Sequence, residues 1–145
     1  MKVKRILAPI DGSTYSAKAL RVATEMAQKN ESEIMILTCM RKEDVGAWYY
    51  SDPKINKDVM IKAKEFAKQS MSKIEESIRK KGVNVTSNVI EAKSLVKGIT
   101  DFADSKKVDL IVMGSHGRTG FKKMLLGSVS NGVVQQARQP VLIVK

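Results

Sequence analysis

An alternation in the chain narrows the fold more than any single motif. Five short apolar runs are separated by longer stretches whose apolar residues recur at helical spacing. The runs are Lys4–Ile10, Glu33–Cys39, a more polar one carrying Val83, Val85, Val89 and Ile90, then Val108–Met113 and Pro140–Val144. Glu33–Cys39 shows little polar alternation, as expected of a strand covered on both faces. The third run is polar enough to sit at a sheet edge. Between the runs, Thr14–Lys29 has Ala17, Leu20, Ala23 and Ala27 on one face, and Ile55–Lys81 has Val59, Ala63, Phe66, Met71, Ile74 and Ile78. A third helix follows Ser94 as cap, with Leu95, Ile99, Phe102 and Ala103 inward. The fourth spans Ser128–Arg138, with Val129, Val133 and Val134 inward; Gly132 weakens it by about 1 kcal/mol relative to alanine.

Turn chemistry agrees with these boundaries. Asp11-Gly12-Ser13 follows the first run, Asn30 ends the first helix and Gly82 stops the second. Arg41–Asn56, with Trp48-Tyr49-Tyr50 and Asp52-Pro53, has no clear period and reads as a loop. An order of βαβαβαβαβ requires parallel strands, right-handed crossovers and helices on both faces. The expected fold is a single three-layer, Rossmann-like α/β domain over residues 1–145, with a five-stranded parallel sheet in the order 3-2-1-4-5.

Composition limits the function classes. With 145 residues and 43% hydrophobic content, the chain can bury a core without disulfides or metal. It contains no apolar run long enough to span a membrane, and Met1–Pro9 lacks the long apolar region of a signal peptide. One cysteine, Cys39, suits a reducing compartment, so the expected location is the cytoplasm. The net charge of +11 would attract polyanions or phosphate-bearing small molecules. Lysines between Lys54 and Lys81 are interspersed with acids, as on a solvated helix face, and aromatic residues make up only 5%, which disfavours nucleic-acid binding.

The chemistry concentrates where the fourth run ends, in Val112-Met-Gly-Ser-His-Gly-Arg-Thr-Gly120 and onward to Asn131. In an open parallel sheet the ligand crevice lies beyond the carboxyl ends of the strands, where successive connections diverge. Asp11 follows strand one directly, and Gly114 follows strand four. Gly114 and Gly117 would allow a sharp turn and close approach of a ligand to main-chain amides. Gly127-Ser128 then opens a helix whose free amides, dipole and Ser128 and Ser130 hydroxyls would form an anion seat, with Arg118, Lys122 and Lys123 adding charge. A carboxylate at Asp11 would repel phosphate. Its expected role is to accept a ribose hydroxyl or to hold phosphates through a metal ion; either implies a nucleotide. Neither a P-loop nor a dinucleotide fingerprint is present, which leaves Gly114-x-x-Gly117, nine residues, and Gly127-Ser128.

At these residues the chain resembles the nucleotide-binding, ATP-binding branch of the universal stress protein family, whose signature is G-x2-G-x9-G-[ST]. Ile6–Ser13, Val108–Ser115, Leu125–Val129 and Pro140–Val144 also look like that family, so the resemblance covers essentially the full chain. It implies an adenine nucleotide, usually ATP, with Mg²⁺ or Mn²⁺ at the phosphates. No metal ligand is expected from the protein directly, other than Asp11 through water. By position, Pro9, Ile10 and Asp11 would contact adenine and ribose, and Cys39 would line the adenine pocket. Gly114, Gly117, Gly127, Ser128, Val129 and Ser130 would hold ribose and phosphates. The resemblance also implies a homodimer through the last strand, Val141, Leu142, Ile143 and Val144. One departure is Ala92-Lys93-Ser94, where the family often has Gly-Asp/Asn-Pro before the third helix.

The expected function is therefore a nucleotide-dependent regulatory or stress-response switch with at most slow ATP hydrolysis, because no general base is evident. A nucleotide-processing enzyme, an ATPase or adenylyl transferase, is the alternative on the same site, and a nucleic-acid binder the less favoured third. His116 reads as a loop donor, Cys39 as a small residue shared between core and pocket, and Trp48-Tyr49-Tyr50 as a lid or packing cluster with no transferable role.

Overall fold

The computed structural model describes residues 1–45, 53–118 and 124–145, with backbone only for 53–56; Trp48-Tyr49-Tyr50, Lys122 and Lys123 lie outside the described residues. The elements run β1 (Arg5–Pro9), α1 (Thr14–Asn30), β2 (Glu33–Met40), α2 (Lys42–Val45), α3 (Pro53–Arg79), β3 (Val85–Glu91), α4 (Leu95–Ser105), β4 (Leu110–Gly114), α5 (Ser128–Gln136) and β5 (Val141–Val144). The five strands form one parallel sheet, as the alternation predicts, and it runs in the expected order β3-β2-β1-β4-β5. The more polar β3 is an edge, and β5 is the other.

The central strands alternate two apolar faces. Ile6 and Ala8 of β1, Ile34 and Ile36 of β2, and Leu110 and Val112 of β4 point to the face covered by α1 and α3. Leu7, Leu37, Ile111 and Met113 point to the face covered by α4 and α5, where Ile99, Phe102, Ala103 and Val133 meet them. The lack of polar alternation in the sequence follows from this arrangement, since both faces are dry. Each such buried Leu, Ile or Val contributes roughly 1.5–3 kcal/mol.

The helix starts and stops follow local chemistry. Ser13 caps α1, its hydroxyl accepting from the Ser16 amide at 3.1 Å, and Ser94 caps α4 in the same way from the Lys97 amide at 3.2 Å. The Ala92-Lys93-Ser94 departure therefore still starts its helix correctly. Gly82, at φ 79°, turns the chain after α3 in the left-handed region that suits glycine. At the amino end of the sheet the Asp109 carboxylate accepts from the amides of Lys4 at 2.9 Å and Arg5 at 3.0 Å, joining the start of β1 to β4.

Three inward assignments are corrected. Phe66 is 72% exposed, because the buried stripe of α3 is Met60, Ala67, Met71 and Ile78. One residue of offset rotates a helical side chain by about 100°, which carries Phe66 away from the sheet. Ala17 is exposed while Ser16 and Ala19 are buried, and Val134 is 43% exposed while Val133 is fully buried. The expected loop from Arg41 to Asn56 contains a short helix, α2, and the start of α3. Arg41 clamps α2 by a two-pronged pair with Asp44, at 3.0 and 3.1 Å. Pro53 is the first residue of α3, a position where its missing N–H costs nothing, so this proline marks a helix start.

Gly132 repays its poor helix propensity through packing. A Cβ there would lie 2.6 Å from Val96 Cγ2, so the glycine lets α5 approach α4. Gly132→Ala is expected to destabilise the protein by about 1–2 kcal/mol in urea unfolding despite its better propensity. Adding Val96→Ala should recover part of that loss, a non-additivity that a double-mutant cycle measures.

Candidate functional site

In the sheet β1 is hydrogen-bonded to both β2 and β4, so its carboxyl end lies beside theirs. From β1 the chain crosses by α1 to β2, whereas from β4 it crosses by α5 to β5 on the other side. The two connections diverge and leave a crevice between them. That crevice is a cleft of about 90 Å³ with an apolar wall formed by Ile10, Leu37, Cys39, Leu95, Ile99 and Met113. The polar part of its lining is Asp11, Ser16, His116, Gly117 and Ser130, of which Ser16 and Ser130 are buried, and Pro9, Gly114 and Val129 complete it.

A larger groove of about 580 Å³ lies at the opposite, amino end of the sheet, among Lys2, Lys4, Arg5, Glu31, Glu33, Lys107 and Asp109. Part of its charge is engaged within the protein: Arg5 pairs with Glu33 at 2.8 Å, and Asp109 holds two backbone amides. The carboxyl end of the sheet therefore remains the better candidate.

Asp11 stands at the mouth of the cleft. One carboxylate oxygen accepts from the Ser13 amide at 2.9 Å, the other from the Arg118 amide at 3.2 Å. It thus ties the β1 turn to the loop after β4 and leaves the capping of α1 to Ser13. Arg118 itself is exposed, and with Arg41 it helps hold the Asp44 carboxyl below the usual range, the Arg41 hydrogen bond being the main cause.

Packing also accounts for these glycines. Neither Gly114 nor Gly117 has a positive φ, so a sharp left-handed turn is not their reason. A Cβ on Gly114 would lie 2.7 Å from the Tyr15 carbonyl carbon; the residue is glycine because α1 packs directly on the end of β4. A Cβ on Gly117 would meet Asp11 Oδ2 at 2.8 Å, and one on Gly127 would press His116 Cα at 3.3 Å.

The amino end of α5 differs from those of α1 and α4. Its N-cap, Gly127, has no side chain to offer, and its own amide donates to the Ser115 carbonyl at 2.7 Å. By helix geometry the amides of Ser128, Val129 and Ser130 have no intrahelical acceptor, and they carry the positive end of the dipole. The Ser130 hydroxyl is buried and donates to the Gly114 carbonyl at 2.7 Å. Its proton is committed to the fold, which corrects the expectation that this hydroxyl joins the anion seat. Ser128 is exposed and keeps its hydroxyl free for that role among the described contacts.

Cys39 sits on the cleft wall near Gly98, where an added Cβ would be 2.7 Å from its sulfur. Burial pushes its thiol pKa up, partly offset by Arg41. His116 is held at both ring nitrogens, Nδ1 by the Ser115 hydroxyl at 3.0 Å and Nε2 by the Met124 carbonyl at 2.7 Å, in agreement with a loop donor. The sequence reading missed Leu37, Leu95, Ile99 and Met113 as lining residues. Leu95 was within reach of it: α4 begins at the same carboxyl end, so the residue after its cap faces the crevice.

The universal stress protein family matches residues 2–145, and the chain belongs to that family. Universal stress protein MJ0531 of Methanocaldococcus jannaschii is 32% identical over 98% of this chain and 82% of its own length. The solved structure of MJ0577 from the same organism superposes with a TM-score of 0.90 at 29% identity, covering 100% of this chain and 97% of the other. An Archaeoglobus fulgidus universal stress protein in complex with dAMP has a TM-score of 0.68 at 25% identity, with 100% of both chains covered.

The contrast between two glycines is directly testable. Gly114→Ala drives a methyl into the backbone of α1 and is expected to destabilise by about 2–4 kcal/mol. Gly117→Ala meets only the movable end of Asp11 and should cost under about 1 kcal/mol, both read by thermal unfolding.

Proposed function

We propose that this chain binds an adenine nucleotide, ATP with Mg²⁺ or Mn²⁺, in the cleft beyond β1 and β4. It would act as a nucleotide-dependent regulatory or stress-response switch that turns ATP over slowly at most. The observation that carries this reading is the junction of an apolar slot with an uncapped helix amino end. A planar base fits the first, and phosphates fit the second. The dAMP complex of the Archaeoglobus relative supports the same ligand class.

In this reading Pro9, Ile10 and Cys39 border the base, and Asp11 faces the sugar. Gly114, Gly117, Gly127 and the amides of Ser128, Val129 and Ser130 surround the phosphates, with Arg118 adding charge at the rim. A divalent ion would neutralise phosphate charge. No cluster of three or more His, Cys, Asp or Glu gathers among the described residues, so the phosphates and water would supply most of its ligands, with Asp11 through water. Slow turnover is supported by the engagement of both nitrogens of His116, the chain's single histidine, which takes it out of service for orienting a water.

No described helix is long and apolar enough to cross a membrane. With one half-buried cysteine, this supports a cytoplasmic location. A homodimer through β5 belongs to the proposal as well. The strand pairs with β4 on one side only, and it presents Val141, Leu142, Ile143 and Val144, of which Leu142 is 36% exposed. An apolar edge of this kind is stabilised by a partner strand.

A melting scan with ATP, ADP, AMP and GTP, with and without Mg²⁺, tests the reading. At a hundred times its Kd, a ligand adds about 2.7 kcal/mol of stability, a clear upward shift in Tm. Gly117→Val and Gly127→Val are expected to remain folded and lose the shift; an unchanged shift in both would move the site elsewhere. Cys39 supplies a second measurement. Since the folded state favours the protonated thiol, its alkylation should be slower than that of free cysteine at pH 8 and should accelerate only at higher pH. Bound ATP should slow it further, and absence of protection would argue against a nucleotide beside Cys39.

A further inference from the structure

His116 carries a constraint that a generic loop histidine would not. Its Nε2 lies 2.7 Å from the Met124 carbonyl oxygen, which has no proton to give, so the ring proton sits on Nε2. In the neutral ring Nδ1 is then bare and accepts the Ser115 hydroxyl at 3.0 Å. Ser115 is 2% exposed and its carbonyl accepts from the Gly127 amide at 2.7 Å, so residues 115 and 116 are each bonded to the returning end of the loop. The ring also packs on Tyr15 of α1, with centroids 5.2 Å apart and planes tilted by 52°. Every part of this clasp borders the groups assigned to phosphate: Gly117 and Arg118 follow it, and Gly127 closes it.

We propose that His116, locked in its Nε2–H tautomer between Ser115 and Met124, is a positioning residue that holds the Gly117 amide and the α5 amino end in register for a nucleotide's phosphates, the Arg118 amide being held by Asp11. The proposal rests on the nucleotide-binding reading of the cleft and adds a residue that acts on the phosphate-facing amides through the backbone. A serine nucleophile activated by His116 does not fit the same geometry. The Ser115 side chain is buried and stands outside the lining of the cleft, whereas His116 and Gly117 are part of it.

The test compares His116→Phe, His116→Gln and Ser115→Ala by two readouts. One is ATP affinity in the presence of Mg²⁺; the other is the rate of tryptic cleavage after Arg118, followed by mass. Phenylalanine retains the packing on Tyr15 and loses both hydrogen bonds. It is expected to weaken ATP binding about tenfold and to speed cleavage after Arg118, with Tm without nucleotide lowered by only a few degrees. Glutamine can donate from its amide nitrogen near the Nε2 position and should recover most of both losses. Ser115→Ala keeps the Met124 bond and should give a smaller change of the same sign. Unchanged cleavage in His116→Phe would overturn the clasp. Faster cleavage with unaltered ATP affinity would overturn its positioning role, as would a glutamine variant no better than phenylalanine. Failure of the wild-type protein to bind any adenine nucleotide would defeat the proposed function instead, while cleavage after Arg118 would still decide the clasp.

Discussion

The pairing of β1 with β4 in one parallel sheet is the constraint on which the rest of the molecule depends. Register puts Ile6 opposite Leu110 and Leu7 opposite Ile111, so the two strands end side by side at Pro9 and Gly114. Their continuations must diverge, since α1 returns on one face and α5 on the other. A crevice results from connectivity alone. Its contents then follow from what each strand delivers: a carboxylate from β1, an apolar wall from β2 and a glycine-bearing loop from β4.

Close backbone approach makes that crevice narrow. Gly114 allows α1 to sit on the end of β4, Gly98 allows α4 to sit against Cys39, and Gly132 allows α5 to close on α4. At each of the three a Cβ would fall within 3 Å of a neighbouring atom. The glycines of the signature thus divide their work. Gly114 serves helix packing, Gly117 makes room for the Asp11 carboxylate, and Gly127 starts a helix where a Cβ would press on the backbone of Ser115 and His116. A motif that reads as a single phosphate cradle contains at least one residue whose first duty is to the fold.

Polar groups around the cleft show the same division. Ser130 gives its proton to the Gly114 carbonyl, Ser13 caps α1, and Asp11 bridges two loops. Side-chain hydroxyls near a suspected phosphate site are natural candidates for binding it, but a buried hydroxyl must first satisfy itself, and the nearest carbonyl commonly claims it. What stays available is mainly main-chain, the amides whose acceptors the helix geometry removes, with the exposed Ser128 hydroxyl beside them.

The five strands, the four longer helices and the parallel sheet were legible in the amino-acid sequence, because apolar periodicity and turn residues are local signals that burial and backbone sterics impose directly. The family signature added the spacing that links Gly114, Gly117 and Gly127-Ser128. Helix phase at Phe66 was not legible, since several apolar residues around α3 compete for the same face and only the sheet's shape selects Met60, Ala67, Met71 and Ile78. Nor were the destinations of the Ser130 and His116 hydrogen bonds, nor the reason for glycine at position 114. Each depends on which backbone atoms from distant segments come within about 3 Å, a distance that no local pattern encodes and that only the packed layers determine.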